Sequence, residues 1–308
     1  MSAATGSNAG ANSRYRTLGL LLAAGGVLAF SVRPIFIKLA YAYARDPVTL
    51  IALRMVFSLP FFIFAAWWTQ RGKTPDPISR RDAWAIVVLG VMGYYIASFL
   101  DFLGLQYITA GLARLVLFMY PTIVVLLSWF WLRKPPRGPE LLALFVTYIG
   151  LALVLASSVV GQHEHLALGA ALVFGSAIAY AVYLVAGTQV IRRVGSIRFS
   201  AYALMVASVC CIVQFIVLRP LSALDLPAPV YGYAIAIAVL STVLPVFMTA
   251  EALKRADANS VAILGALGPV SAIVLGYLGL DEVMTGQQIG GAVLVLIGVL
   301  MVSLPSRH

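Results

Sequence analysis

Four charged side chains interrupt stretches of the sequence that are otherwise apolar: Arg33, Arg54, Asp101 and Arg114. A charge inside a membrane-crossing segment costs about 2.5–3.5 kcal/mol on insertion scales, so each one needs a partner or a function. Arg33 and Asp101 lie deepest, and we expect them to face each other or a shared aqueous cavity. Arg54 and Arg114 lie close enough to the ends of their segments for their guanidinium groups to reach the membrane interface. Because arginine outnumbers carboxylate at this depth, the group suits binding of a carboxylate or another anion.

Aromatic and hydroxyl side chains recur at helical spacing near these charges. Four of them follow the i, i+3, i+4, i+7 pattern of a single helix face, and two more are three residues apart in a later segment. Such walls suit a pocket for a hydrophobic or aromatic solute, although ordinary packing between helices gives the same pattern. The predicted substrate-binding residues are Tyr95, Ser98, Phe99 and Phe102 on the first face, Tyr180 and Tyr183 on the second, and Phe30, Arg33 and Asp101.

Prolines within or near the interiors of apolar segments are candidates for hinges. Each removes a backbone hydrogen bond and tends to kink its helix. The predicted hinges are Pro34, Pro121, Pro245 and Pro269.

The sequence carries no pattern typical of catalysis or of a bound cofactor. It has no Walker loop, no His-Glu-x-x-His motif and no Gly-x-Ser-x-Gly motif. His163, Glu164 and His165 are consecutive in a predicted loop, where a solvated linker is the simpler interpretation than a metal site. We therefore predict that the chain is not an enzyme and needs no metal or cofactor.

The composition is that of a polytopic helical membrane protein. Of 308 residues, 62% are hydrophobic and 10% are charged, and the mean hydropathy is +0.98. Apolar runs long enough to cross a bilayer recur along the chain. The predicted spans are 17–40, 47–69, 83–106, 108–131, 139–158, 166–190, 198–218, 229–252, 257–280 and 286–304. Residues 1–13 form a polar tail that we expect to be disordered.

The basic residues predict the orientation of these spans. With the N-terminus in the cytoplasm, fifteen lysines and arginines lie on the inner side, against Lys38, Arg45 and Arg219 on the outer side. Cytoplasmic loops of membrane proteins carry such an excess, so both termini are predicted to be cytoplasmic. Because the net charge of +10 is explained by these short loops, we expect a lipid bilayer and no nucleic acid as partner.

The chain contains one unit twice. Residues 105–154 match 253–302 with an offset of 148, which places Pro121 on Pro269 and Gly150 on Gly298. With an offset of 150, Phe30 matches Tyr180. The predicted repeats are 14–160 and 161–308, with five helices each. An odd number of spans makes the second repeat enter the membrane from the opposite side, and inverted repeats are typical of secondary transporters with alternating access.

This plan resembles the drug/metabolite transporter superfamily, and within it the EamA-type exporters, which include bacterial exporters of aromatic amino acids and methyl viologen. The segment 279–285, Gly-Leu-Asp-Glu-Val-Met-Thr, is similar to the family's Leu-Gly-Glu-x-x-Thr connection between the ninth and tenth spans. The first repeat has Arg133 and Lys134 where the second has Asp281 and Glu282. This exchange follows the predicted orientation and favours a topological or packing role for Glu282.

The resemblance implies export of small metabolites across the inner membrane, with aromatic or hydrophobic amino acids first. Organic cations and nucleotide sugars are the alternative substrates. A channel would need a continuous polar stripe and a membrane-embedded enzyme would need a nucleophile, and the sequence shows neither. Asp101 is the only carboxylate well inside a predicted span, so the sequence does not decide between uniport and proton coupling. The sequence does not fix the oligomeric state.

Overall fold

The computed structural model describes residues 4–71, 77–132, 138–159, 165–255, 264–265 and 267–303. Within these residues all regular structure is helical. Seven helical stretches are long and apolar enough to cross a membrane, and three shorter apolar helices, Leu141–Val154, Leu267–Leu280 and Gly286–Gly298, accompany them. The prediction of an all-helical membrane protein is confirmed at this level, whereas the count of ten spans stays a prediction.

The helices of the first half divide several predicted spans into segments. They are α1 (Ala4–Ser31), α2 (Arg33–Tyr41), α3 (Pro47–Trp68), α4 (Arg80–Gly90), a π-helical segment (Val91–Ile96), α5 (Ala97–Gly104), α6 (Ala110–Leu117), α7 (Tyr120–Leu132) and α8 (Gly138–Val159). Because α1 begins at Ala4, it includes most of the segment for which the sequence predicts disorder. That stretch contains no proline to interrupt the helix of the first span, although Gly6 and Gly10 are weak helix formers.

The second half follows the same plan. Its helices are α9 (Leu166–Val194), α10 (Ser196–Leu218), a 3₁₀ turn (Leu221–Leu224), α11 (Ala228–Ala238), a π-helical segment (Val239–Val243), α12 (Leu244–Arg255), α13 (Leu267–Leu280) and α14 (Gly286–Ser303). The two π-helical segments occupy equivalent places, because the repeat offset of 148 carries residues 91–96 onto 239–244. Such segments are rare and often mark functional positions, so a matched pair indicates a feature shared by both halves.

Each of the four predicted hinge prolines lies in the first turn of a helical segment. Pro34, Pro121 and Pro245 are the second residues of their helices, and Pro269 is the third residue of its helix. At Pro34 and Pro121 proline is tolerated because the first N–H groups of a helix have no intrahelical acceptor. Pro245 differs, because α12 continues from the π-helical segment without a break. A further proline, Pro60, lies inside α3 and was not predicted as a hinge. The hinge function itself stays a prediction.

Among the described residues, the most extensive contact between two helices joins α8 of the first half to α14 of the second. A Cβ added to Gly298 of α14 would lie 2.7 Å from the carbonyl oxygen of Ala143 in α8. A Cβ added to Gly150 of α8 would lie 2.6 Å from the carbonyl oxygen of Gly291 in α14. The repeat offset carries 143 onto 291 and 150 onto 298. The contact of residue 143 with residue 298 is therefore equivalent to the contact of residue 291 with residue 150.

Other helices also pair across the halves: α1 packs on α12, α3 on α10, α5 on α9 and α6 on α13. The pair α3 and α10 runs antiparallel, since Met55 contacts Ser208 while Ala65 near the end of α3 contacts Ala201 near the start of α10. The core is therefore an interface between halves, and groups buried there respond to any movement of one half against the other.

Asp46 joins the start of α3 to the end of α10. Its carboxylate caps α3 by accepting hydrogen bonds from the Val48 backbone N–H at 3.2 Å and the Thr49 hydroxyl at 2.6 Å. It also accepts two hydrogen bonds from the Arg219 guanidinium, at 2.8 and 3.1 Å. Partial burial acts to raise the pKa of Asp46, but the bonds from Arg219 and Thr49 outweigh it and hold the pKa below its ordinary value.

We expect Asp46→Asn to lower the thermal unfolding midpoint in detergent near neutral pH and to have little effect in strong acid. A carboxyl whose pKa is lowered by folding stabilises the native state above its unfolded pKa, and the contribution is lost as the pH falls through the folded pKa. The advantage of the wild-type protein should thus be full above pH 3.8, the ordinary value, and fade below it. A gap between the two proteins that stays constant into strong acid would contradict this.

Candidate functional site

Arg33 and Asp101 form a buried ion pair between α2 and α5. The Nη2 atom of Arg33 donates to the Oδ2 atom of Asp101 at 2.6 Å. Arg33 is 8% exposed and Asp101 is 3% exposed. The contact expected from the sequence is therefore present, and it joins one nitrogen to one oxygen without a second parallel bond among the described contacts.

Phe30 contacts two arginines just where α1 ends. Its ring centroid lies 4.6 Å from the Cζ atom of Arg33 and 4.4 Å from the Cζ atom of Arg114. The Nη2 atom of Arg114 also donates to the backbone carbonyl of Phe30 at 2.5 Å. That carbonyl would pair with the N–H of residue 34 in a regular helix, but Pro34 has none. The proline thus frees an acceptor that holds Arg114 beside Arg33.

Arg54 completes a cluster of three buried arginines. It is 2% exposed and Arg114 is 5% exposed, so the expectation that these two side chains reach the interface is wrong. The Cζ atom of Arg54 lies 5.0 Å from the ring centroid of Phe102, which offsets part of the cost of burying its charge. Their segments pack against the other half of the chain, so both side chains point into the protein instead of along the helix toward the interface.

The cluster has unused hydrogen-bonding capacity. Among the described residues, the Nε–H groups of Arg33, Arg54 and Arg114 are buried without a hydrogen-bond partner. Two of these arginines line a crevice bounded by Arg33, Pro34, Asp101, Ala113, Arg114 and Leu117, which in this conformation is too narrow to admit a water molecule. Buried donors without acceptors are uncommon in proteins, so the crevice is suited to a group that accepts hydrogen bonds and carries negative charge.

Tyrosine rings form a second cluster on α9 and its neighbours. The ring centroids of Tyr180 and Tyr183 are 5.8 Å apart, Tyr120 lies 5.1 Å from Tyr180, and Tyr94 lies 5.0 Å from Tyr183. The hydroxyl groups of Tyr94 and Tyr183 are 3.1 Å apart, within hydrogen-bonding distance. Gly93 leaves room for the ring of Tyr183, because a Cβ at Gly93 would overlap that ring. The two predicted tyrosines are thus together, and Tyr94 and Tyr120 join them.

The other predicted face does not line the crevice. Phe99 packs against Val48, Ala52 and Phe215, with Tyr95 in the neighbouring core. Ser98 and Phe102 are buried, and Phe102 lies beneath Arg54. The α-helical spacing does not hold through this stretch, because residues 91–96 are π-helical. Tyr94 lies in the same π-helical segment and contacts Tyr183, although it was not among the predicted residues.

Glu282 makes a contact that supports the predicted packing role. Its carboxylate accepts hydrogen bonds from the backbone N–H groups of Ala110 at 2.9 Å and Gly111 at 3.3 Å, at the start of α6. A carboxylate at this position satisfies N–H groups that the helix cannot. His163 and Glu164 lie outside the described residues, and the described part of the chain holds no group of three or more residues suited to a metal ion.

These features define a multi-pass helical membrane protein with a buried, positively charged crevice between its helices. The model of the EamA-like transporter family matches the chain twice, over residues 17–156 and 167–304. The chain belongs to this transporter family.

One relative and one solved structure align with nearly the whole chain, and a second relative aligns with about three fifths of it. The uncharacterized transporter YcbK of Bacillus subtilis (strain 168) is 27% identical over 293 residues, which cover 92% of this chain and 93% of YcbK. The threonine/homoserine exporter RhtA of Salmonella typhimurium (strain LT2) is 28% identical over 197 residues, covering 62% of each chain. A solved crystal structure aligns with a TM-score of 0.62 and 21% identity, covering 92% of this chain and 96% of the other, which indicates a shared fold.

Proposed function

We propose that the protein is a secondary carrier that exports small metabolites, with aromatic or hydrophobic amino acids first, across the inner membrane. The observation that carries this proposal is the buried crevice between Arg33, Asp101 and Arg114, where guanidinium donors outnumber carboxylate acceptors. A transported amino acid brings the carboxylate that these donors lack. The Phe30 ring and the tyrosines of α9 supply apolar surface for its side chain.

Alternating access is the mechanism that the helix pairing supports. The reciprocal contacts of α8 and α14, and the matched π-helical segments, are what two inverted five-helix repeats related by a twofold axis in the membrane plane would make. In this proposal the halves exchange conformations, so that the crevice opens to the cytoplasm and then to the outside. The four prolines absorb the change in helix direction, and both termini stay in the cytoplasm.

The amino-acid assignment draws on a relative and on charge. RhtA is named as an exporter of threonine and homoserine, which are amino acids with small side chains. The excess of positive charge in the crevice disfavours an organic cation, which is the second candidate for export. The tyrosines favour a substrate with a larger side chain than that of threonine. The proposed substrates therefore differ from those named for RhtA.

Counterflow in liposomes tests the proposal. Vesicles containing the purified protein are loaded with unlabelled phenylalanine, and entry of labelled phenylalanine is followed without an imposed ion gradient. We expect saturable entry that exceeds that of protein-free vesicles, which would establish a carrier operating without coupling. Entry that requires a proton or sodium gradient would contradict uniport and move attention to Asp101. Absence of counterflow for every amino acid, with protein shown to be folded, would overturn the assignment.

A further inference from the structure

We infer that the crevice is selective for zwitterions, with Arg114 and Arg33 binding a carboxylate while Asp101 binds an ammonium group of the same solute. This inference rests on the proposed transport function and specifies the chemistry of its site. The solute would take the place of the direct contact between Arg33 and Asp101. That contact would re-form when the solute leaves.

The ion pair is built so that it can be opened in this way. The described contact between Arg33 and Asp101 is a single hydrogen bond of 2.6 Å. The Nε–H of Arg33 has no partner among the described residues, and neither has the Nε–H of Arg114. Both side chains, with Asp101, line the same crevice, so a carboxylate that enters when the helices part meets two guanidinium groups with free donors.

Separating a buried ion pair is costly unless each charge receives a new partner. A zwitterion provides both, because its carboxylate pairs with guanidinium and its ammonium pairs with Asp101. A carboxylic acid without the ammonium would leave Asp101 buried beside a second negative charge. An amine without the carboxylate would add positive charge to a site that already holds Arg33, Arg54 and Arg114. Only the solute with both charges gives Arg33 and Asp101 new partners at the same time.

The exchange also gives the empty carrier a way to reorient. With no solute bound, Arg33 and Asp101 neutralise each other and can cross between the two conformations as a pair. With a zwitterion bound, the net charge of the site is unchanged because the solute is neutral overall. Loaded and empty carriers thus move the same charge, and turnover requires no accompanying proton.

Competition in the counterflow assay tests the inference with the wild-type protein. Entry of labelled phenylalanine is measured against unlabelled phenylalanine, phenylalanine amide, which lacks the carboxylate, and 3-phenylpropionate, which lacks the ammonium. Loss of one charge-assisted contact corresponds to about a ten- to hundredfold weaker competitor. We expect both analogues to be weaker by this factor. If either competes as well as phenylalanine, the zwitterion inference is overturned while the carrier function stands.

Variants then assign the two charges. In Asp101→Asn, the difference in competing strength between phenylalanine and 3-phenylpropionate should shrink by about tenfold. The substitution removes both the repulsion of the anion and the attraction of the ammonium group. Asp82→Asn is the matched control, since Asp82 also pairs with an arginine, Arg193 at 2.5 Å, but at the start of α4 away from the crevice. It should leave the order of competitors unchanged. The same change of order in both variants would overturn the role of Asp101, and counterflow by no amino acid would overturn both proposals.

Discussion

Asp101→Leu is expected to destabilise the protein by about 3–5 kcal/mol, whereas Arg33→Leu combined with Asp101→Leu should recover most of that loss. The single change leaves the Arg33 guanidinium buried, 8% exposed, without its carboxylate. The double change replaces the ion pair by apolar side chains in apolar surroundings, and such replacements are often neutral. The free energy of unfolding in mixed micelles of increasing SDS content measures all three proteins without solute.

A control variant shows whether the loss of stability comes from leaving a charge buried or from breaking any ion pair. Arg193→Leu removes the partner of Asp82, but half of the Arg193 side chain is exposed to the surroundings. Solvent screens the exposed guanidinium, and the Ser79 hydroxyl still donates to Asp82 when Arg193 is absent, so this variant should unfold close to the wild-type protein. A double variant at residues 33 and 101 that is no more stable than Asp101→Leu alone would show that the two charges do not depend on each other.

The cost of burying charge let the sequence predict the centre of the candidate site. Arg33 and Asp101 were selected because an isolated charge at that depth is expensive, and the structure places them in contact. The same argument failed for Arg54 and Arg114, because proximity to the end of a span says nothing about the direction of the side chain. That direction depends on the neighbouring helices, and the local sequence does not show which helices of the two halves pack together.

The π-helical segments set the other limit on prediction. Hydrogen bonds from residue i to i+5 leave no signature in composition, so a search for helix faces assumes the α-helical period throughout. Tyr94 lies in a π-helical segment and was not among the predicted residues. The repeat was visible in sequence because Pro121 and Pro269, or Gly150 and Gly298, are aligned and chemically distinctive. Once the structure shows a π-helical segment in one half, the repeat predicts the second.

The contact of α8 with α14 leads to the second large expected effect. Gly298→Ala and Gly150→Ala should each destabilise the protein by about 1–3 kcal/mol, because an added methyl group overpacks a contact between backbones. The methyl at Gly298 would lie 2.7 Å from the carbonyl oxygen of Ala143, and that at Gly150 would lie 2.6 Å from that of Gly291. Neither carbonyl can move without moving its helix. SDS-dependent unfolding of the two variants measures the effect.

The matched control is Gly290→Ala, in the same helix as Gly298. A Cβ at Gly290 would meet nothing within 4 Å among the described residues, so the change should be neutral or stabilising by up to about 1 kcal/mol through helix propensity. The double variant at Gly150 and Gly298 should cost less than the sum of the singles, because moving the helices apart once relieves both overlaps. Strict additivity would mean that each methyl is accommodated locally, and the reciprocal contact would then not act as one interface between the halves.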